Sequence, residues 1–252
     1  MPQTWLAAYN AYSYPADLSV FGGAHQFQPN HFNRQVAVDR QSTIDFEDNF
    51  RVSSENEIIV YYEVLFWKMF NMGMARDNLT NQVINEHQEL LRISRNLNNF
   101  IENDNYEEIA NMEYLRTSIG IKSGLAVTLT FPAFMNPERF PMVDIWVARW
   151  VNENIEIINA NPNNAVQLLG FEGYQNQVTA QELARQEGRR GTTPRLKDDD
   201  YFAYVAWVKW CRMFANRLTE LNGQNDVPCR ARDVEMAVFV SQRDNLILNL
   251  DF

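Results

Sequence analysis

The fold is decided by the stretch Leu115-Arg-Thr-Ser-Ile-Gly-Ile-Lys-Ser-Gly-Leu-Ala126. A short predicted helix, around residues 105–115, ends where this stretch begins. The chain then turns at Ser118-Ile-Gly120, where glycine tolerates the backbone angles of a tight turn. A second predicted helix opens near Lys122, and its free backbone N–H groups suit a phosphate. A lysine in this first turn opposes the helix dipole, so Lys122 is either an ordinary exposed lysine or a residue with a purpose other than helix stability.

A second informative segment, Pro141-Met-Val-Asp144, precedes another predicted helix, which ends at Asn161-Pro162. Aspartate is a favoured N-cap residue, so Asp144 is expected to bond the first N–H groups of that helix. A carboxylate in this position can also face a positive charge that develops during a reaction. Both roles stay open for Asp144, and they are compatible with each other.

The rest of the chain predicts an all-α protein without an internal repeat or a clear alternating strand. A capping-box pattern at Ser54 and Glu57 predicts a buried helix that follows it, and Pro132 predicts a loop. Further helices are predicted at about 81–102, after Asp144, at about 198–221 and from Ala231. We divide the chain into four parts. These are an N-terminal arm (1–54), a helical lobe (55–159) that holds Asp144 and two helices joined by the turn (about 106–131), a polar and basic insertion (160–197) and C-terminal helices (198–252).

Composition favours a packed globule, since 46% of the residues are hydrophobic and 13% are aromatic. The net charge of −10 counts against a nucleic-acid partner, so any such partner requires a local basic patch. The sequence contains no apolar run of membrane-spanning length and no signal-peptide pattern at its N-terminus. The chain has two cysteines, which we interpret as free thiols of a cytoplasmic, monomeric protein.

The two segments together resemble the helix-hairpin-helix DNA glycosylases, the superfamily of endonuclease III and the 8-oxoguanine glycosylases. Gly120-Ile-Lys122-Ser matches the second hairpin glycine and the lysine of the bifunctional members. Pro141-Met-Val-Asp144 with the following Ile-Trp-Val-Ala-Arg-Trp150 resembles the family's aspartate segment. Ser118 replaces the first hairpin glycine. The four-cysteine motif of endonuclease III is absent, so we expect no iron–sulfur cluster.

The resemblance implies a two-lobed fold with the active site in the cleft between the lobes. It implies excision of a damaged base from double-stranded DNA, with the target nucleotide flipped out of the stack. Lys122 would attack the sugar and form a Schiff base that permits strand cleavage, and Asp144 would stabilise the developing cation. The implied contacts to the DNA backbone come from Ser118, Gly120, Ile121, Ser123 and Arg149. The implied site for a monovalent cation is formed by the carbonyls of Tyr114, Arg116 and Ile119.

One segment of the insertion concentrates basic residues, namely Arg185, Arg189, Arg190, Arg195 and Lys197. It is either a DNA-binding patch or a solvated loop, and we favour the loop. Arg149 similarly either contacts DNA or pairs with a carboxylate. We interpret Asp198-Asp-Asp200 as solvated charge and Trp207, Trp210 and Phe214 as core residues.

Two other functions stay open. The chain is alternatively a non-catalytic helix-hairpin-helix protein that binds DNA. It is otherwise a helical protein-interaction module in which the hairpin is only a packing turn, and the acidic charge favours this reading.

Overall fold

A computed structural model describes residues 3–14, 38–69, 73–103, 105, 125–174, 197–222 and 229–250. Apart from two short strands, the regular secondary structure of these parts is helical, which confirms the all-α prediction. The helices are α1 (Gln3–Asn10), α2 (Arg40–Ser53), α3 (Ile59–Met69), α4 (Gly73–Asn103), α5 (Leu125–Thr128), α6 (Thr130–Met135), α7 (Ile145–Ala160), α8 (Asp198–Asn222) and α9 (Ala231–Asp244). Strands β1 (Ser13–Tyr14) and β2 (Val38–Asp39) pair in antiparallel orientation.

The described helices pack in two groups around one continuous hydrophobic core. In the first group, α3 packs on α2 and on α4, and all three pack on α6. In the second group, α9 packs against α1, α7 and α8. The loop from α6 to α7 carries the chain from the first group to the second. Asp144, at the end of that loop, therefore lies where the two groups meet.

The N-terminal arm contributes more to the core than the sequence indicated. Trp5 on α1 and Phe50 on α2 are each about 1% exposed. The Trp5 indole donates a hydrogen bond to the carbonyl of Asn249, which joins the two ends of the described chain. Burial of an aromatic side chain removes a large apolar surface from water, so these contacts hold the arm to the helices.

Two local predictions for the first group were wrong. Helix α3 begins at Ile59 rather than after Ser54, because the Ser54 N–H bonds the carbonyl of Phe50 and thereby continues the end of α2. Pro132, predicted to mark a loop, lies in the first turn of α6. Proline is tolerated there because the first N–H groups of a helix have no intrahelical partner.

Two asparagines of α7 hold the chain that follows this helix. The Asn152 side chain accepts a hydrogen bond from the Phe171 N–H and donates one to the Phe171 carbonyl, at 2.7 and 3.1 Å. Asn159 does the same for Leu168, at 2.8 and 3.0 Å. These side chains satisfy peptide groups that have no helix or sheet partner. Residues 161–171 therefore follow α7 closely without regular structure of their own.

No helix in the described ranges is long and apolar enough to cross a membrane.

Candidate functional site

Asp144 is the N-cap of α7, as predicted. Its backbone is extended (φ −125°, ψ −172°), and its Oδ1 accepts hydrogen bonds from the N–H groups of Trp146 and Val147 at 2.9 and 3.0 Å. The half-buried carboxylate therefore caps its helix through Oδ1, while Oδ2 accepts no hydrogen bond from a described residue.

Two side chains of α8 hold the segment of chain that precedes Asp144. The Tyr204 hydroxyl donates to the carbonyl of Pro141 at 3.1 Å, and the Trp207 indole donates to the carbonyl of Met142 at 3.2 Å. Burial raises the pKa of the Tyr204 hydroxyl well above its usual value, so this donor stays protonated. Because these carbonyls are buried, the bonds hold the chain at the start of α7 in one position.

Two cations, Lys68 and Arg232, lie beside the buried indole of Trp67. Lys68 is in the last turn of α3, and its Nζ is 5.8 Å from the centre of the Trp67 ring. The Cζ of Arg232 on α9 is 5.7 Å from the same ring. Burial lowers the pKa of Lys68 to about 8, the Asp144 carboxylate opposes this change, and Arg232 adds to it. Both lysine and aspartate are thus within electrostatic reach of each other.

Tyr174 connects the beginning of α5 to the surroundings of Asp144. The Leu125 N–H donates a hydrogen bond of 2.9 Å to the Tyr174 hydroxyl. Burial raises the pKa of Tyr174, the bond from Leu125 opposes this, and the charge of Asp144 raises it further. We name Lys68, Trp67, Asp144, Tyr174 and Arg232 the Asp144 cluster. It is assembled from α3, α7, α9 and the chain beyond α7.

Asp200 anchors Tyr174 and corrects the interpretation of Asp198-Asp-Asp200 as solvated charge. The Asp200 side chain is fully buried, whereas Asp198 and Asp199 are exposed. Its carboxylate accepts hydrogen bonds from the Lys197 N–H at 2.7 Å and the Gly173 N–H at 3.1 Å. Asp200 on α8 thereby holds Gly173, the residue before Tyr174, in place. Asp200 is a structural aspartate that its sequence context did not reveal.

A buried ionic network joins α2 to the beginning of α9. Glu47 accepts hydrogen bonds from Arg230 Nη1 at 2.8 Å and from Arg232 Nε at 3.1 Å. Arg230 also pairs with Asp233, and Arg232 pairs with Glu235. Burial raises the pKa of Glu47, and the two arginines lower it. Breaking one buried partner leaves the other charge uncompensated, so this network holds Arg232 firmly beside Trp67.

Most of the predicted site residues lie outside the described residues. These are Lys122, the hairpin positions Ser118, Gly120, Ile121 and Ser123, the carbonyls of Tyr114, Arg116 and Ile119, and the basic residues Arg185, Arg189, Arg190 and Arg195.

Two further residues of the predicted site are described, and both pair with carboxylates. Arg149 Nε lies 2.8 Å from Glu153 Oε1, one helical turn further along α7. Lys197 is exposed and pairs with Glu172, and that hydrogen bond raises the pKa of Lys197. In this structure Arg149 pairs with a carboxylate, which was one of the two alternatives for this residue. A contact of Arg149 with DNA stays a prediction.

The sequence did not single out Lys68, Tyr174, Arg232 or the Glu47 network. Lys68 and Asp144 are 76 positions apart, and no local pattern relates them. One signal was present for Lys68, which is a charged residue at the end of a strongly apolar segment, Ile59–Met69. The described residues contain no group of three or more histidine, cysteine, aspartate or glutamate side chains placed to hold a metal ion.

Comparisons of the chain with protein-family models, curated proteins and solved structures found no match.

Proposed function

We propose that the chain is a DNA glycosylase that excises a damaged base and then acts as an abasic-site lyase. The observation that carries the proposal is the position of Leu125. Its N–H bonds Tyr174, and Tyr174 is within electrostatic reach of Asp144. Lys122 precedes Leu125 by three residues, and three residues span at most about 11 Å. The chain therefore ties Lys122 to the segment that Tyr174 links to Asp144, which an amine and a carboxylate acting on the same sugar would require.

In the proposed reaction, the neutral Lys122 amine attacks C1′ of the flipped nucleotide and the C1′–N bond to the base breaks. Positive charge develops on the sugar, and the Asp144 carboxylate stabilises it. The sugar ring then opens to give a protonated Schiff base on Lys122. Loss of a proton from C2′ expels the 3′ phosphate, which cleaves the strand. Water releases the lysine.

The electrostatics of Asp144 fit this role. One carboxylate oxygen is engaged in capping α7, and this bond fixes the orientation of the group before any substrate binds. Preorganised charge of this kind stabilises a transition state without a cost of reorientation during the reaction. Tyr204 and Trp207 hold the same loop through their hydrogen bonds to the carbonyls of Pro141 and Met142.

Borohydride trapping on duplexes that carry single damaged bases tests the proposal. The native protein is expected to release the base and form a covalent adduct on at least one lesion. Lys122→Gln is expected to do neither on the same lesion, because no aldehyde forms without base excision. Lys209→Gln, a half-buried lysine on α8, is the matched control and is expected to behave as the native protein. Absence of base release and of an adduct on every lesion would sink the proposal.

A second candidate is a non-catalytic module that binds DNA or a protein, and the acidic charge favours the protein-binding form. The net charge is −10, and many described arginines pair with carboxylates, namely Arg51, Arg92, Arg95, Arg139, Arg149, Arg212 and Arg243. Arginines that already pair with carboxylates contribute little to phosphate binding. Salt-sensitive DNA binding without base release or trapping would favour a DNA-binding module. Absence of DNA binding would favour a protein-interaction module.

A further inference from the structure

Two arginines that are far apart in sequence converge on one exposed carboxylate. Arg139 lies on the loop between α6 and α7, Arg212 lies on α8, and we name them the arginine pair. Arg139 Nη2 and Arg212 Nη1 lie 2.8 and 2.9 Å from the same oxygen, Oε1 of Glu102. Glu102, in the last turn of α4, is 41% exposed, and the two arginines are 29% and 33% exposed. Two positive charges therefore meet one negative charge at a position that solvent reaches.

The charge balance at the arginine pair differs from that of other surface ion pairs in the described residues. Arg92 binds both carboxylate oxygens of Glu89, at 2.7 and 2.5 Å, so one cation neutralises one anion. Arg51 lies beside two carboxylates, those of Asp48 and Glu138. The arginine pair instead brings one more positive charge than the carboxylate it shares. Because like charges repel at this range, a further anion would stabilise the arrangement.

A phosphate diester is an anion that suits the arginine pair. A guanidinium presents five N–H donors in a planar fork, and Arg212 donates one of them to Glu102. A phosphate diester presents charged oxygens to which such a fork donates paired hydrogen bonds. Two guanidiniums that already converge on one oxygen are therefore arranged to receive a phosphate between them.

The arginine pair is connected to the Asp144 loop from two sides. Arg139 precedes Asp144 by five residues, so their Cα atoms are at most about 18 Å apart. Arg212 is on α8, the helix from which Tyr204 and Trp207 donate hydrogen bonds to carbonyls of the same loop. Nucleotides of one DNA strand rise about 3.4 Å each. A phosphate bound at the pair would thus lie within the length of a short duplex segment from Asp144.

We propose that Arg139 and Arg212 bind a backbone phosphate of DNA, and that Glu102 competes with this phosphate for the two guanidiniums. The inference rests on the proposed function for its partner, DNA. It supplies the local basic patch that an acidic chain needs for this partner. The contact is made to the DNA backbone, so it positions the duplex and does not read its sequence. Without DNA, Glu102 holds the two arginines together.

Salt titration of binding to an undamaged fluorescent duplex tests the inference. The double variant Arg139→Gln with Arg212→Gln is expected to bind about tenfold more weakly, because charge-assisted hydrogen bonds to one phosphate are lost. The slope of log K against the logarithm of salt concentration is expected to fall by about 1. Arg92→Gln with Arg95→Gln is the matched control, since it removes the same charge from one-to-one pairs. This control is expected to keep the native slope.

Glu102→Gln separates phosphate binding from a purely structural ion pair. If the carboxylate only ties α4 to the loop and to α8, its removal and the removal of the arginines change DNA binding in the same direction. The inference expects opposite directions, with Glu102→Gln binding the duplex severalfold more tightly because the phosphate no longer has a competitor. All the substituted side chains are partly exposed, so melting temperatures are expected to stay close to that of the native protein.

The outcomes distinguish this inference from the proposed function. A native salt slope in the double variant, or weaker binding by Glu102→Gln, overturns the phosphate site and leaves the glycosylase proposal standing. No base release from any lesion, together with a reduced slope in the double variant, overturns the glycosylase proposal and leaves the phosphate site standing. Absence of DNA binding by the native protein overturns both. Where a base is released, the double variant is expected to need a higher protein concentration for half-maximal excision and to keep the native rate at saturation.

Discussion

Asp144 and Asp200 both lie at the N-terminal end of a helix, but their carboxylates meet different surroundings. Asp200 is fully buried and binds N–H groups of Lys197 and of Gly173, which is 27 residues away. Asp144 is half-buried, and its hydrogen bonds from described residues come only from its own helix. Its charge opposes the lowering of the Lys68 pKa and adds to the raising of the Tyr174 pKa.

This difference in surroundings indicates that the two aspartates have different roles. The Asp200 carboxylate accepts hydrogen bonds from backbone N–H groups outside α8, so its removal is expected to lower the free energy of unfolding. Asp144 keeps one carboxylate oxygen apart from the capping bonds, so its charge is expected to matter more than its contribution to the fold. Asparagine substitutions separate these roles, because asparagine is a good N-cap residue without a charge.

The largest effect is expected for Asp144→Asn on catalysis. The asparagine oxygen still caps α7, but the negative charge that stabilises the sugar cation is lost, so single-turnover base excision is expected to slow about 10²- to 10³-fold. The melting temperature is expected to stay close to that of the native protein. Excision at the native rate would show that Asp144 is only an N-cap.

The next effect is expected for Asp200→Ala on stability. The substitution leaves the buried N–H groups of Gly173 and Lys197 without acceptors, at a cost of about 2–4 kcal/mol in the free energy of unfolding. Urea denaturation measures this cost, with Asp199→Ala as the matched exposed control on the same helix turn. Equal stability of the two variants would contradict the structural role of Asp200.

A smaller effect is expected for Asp144→Ala on stability. Removal of an N-cap side chain costs about 1 kcal/mol, so Asp144→Ala is expected to be less stable than Asp144→Asn by that amount. The same urea experiment detects the difference. A loss as large as that of Asp200→Ala would mean that Asp144 also carries tertiary structure.

The smallest effect is expected in the pH dependence of stability. Burial raises the pKa of Asp200, and the bonds from Lys197 and Gly173 oppose this change. Between its unfolded pKa of about 3.9 and the raised folded value, the folded state therefore holds more protons than the unfolded state. Relative to Asp200→Asn, the native protein is expected to lose stability as pH rises through this window and to change little above it. A relative gain over the same window would contradict the raised pKa.

The helices near Asp144 were predictable because their signals are local. Asp144 caps α7, Asn161 follows its last residue, and α8 and α9 begin at Asp198 and Ala231, close to the predicted positions. Trp207, Trp210 and Phe214 lie in the core, as helical spacing indicated. Caps and apolar periodicity depend on residues within a few positions of one another, which a single sequence displays.

The Asp144 cluster and the ionic network were not predictable in the same way. Glu47 meets Arg232 across 185 positions, and nothing around Glu47 distinguishes it from the exposed acids Asp45 and Asp48. Asp200 likewise differs from Asp199 only in the side of α8 on which it lies. Partners that are distant in sequence are defined by tertiary packing, so residue type and spacing alone do not identify them.

The asparagine pair on α7 has a consequence for which substitutions the protein tolerates. Asn152 and Asn159 bind peptide groups of Phe171 and Leu168, and the identity of the side chains they pass is irrelevant to those bonds. Exposed positions of this segment, such as Gln167 and Leu169, are therefore free to vary while the path of the chain is kept. Gly170 is an exception, since an added Cβ would lie 3.2 Å from Asn152 Oδ1. Two asparagines of α7 thus fix the path of the chain at the start of the insertion and leave its exposed side chains free to vary.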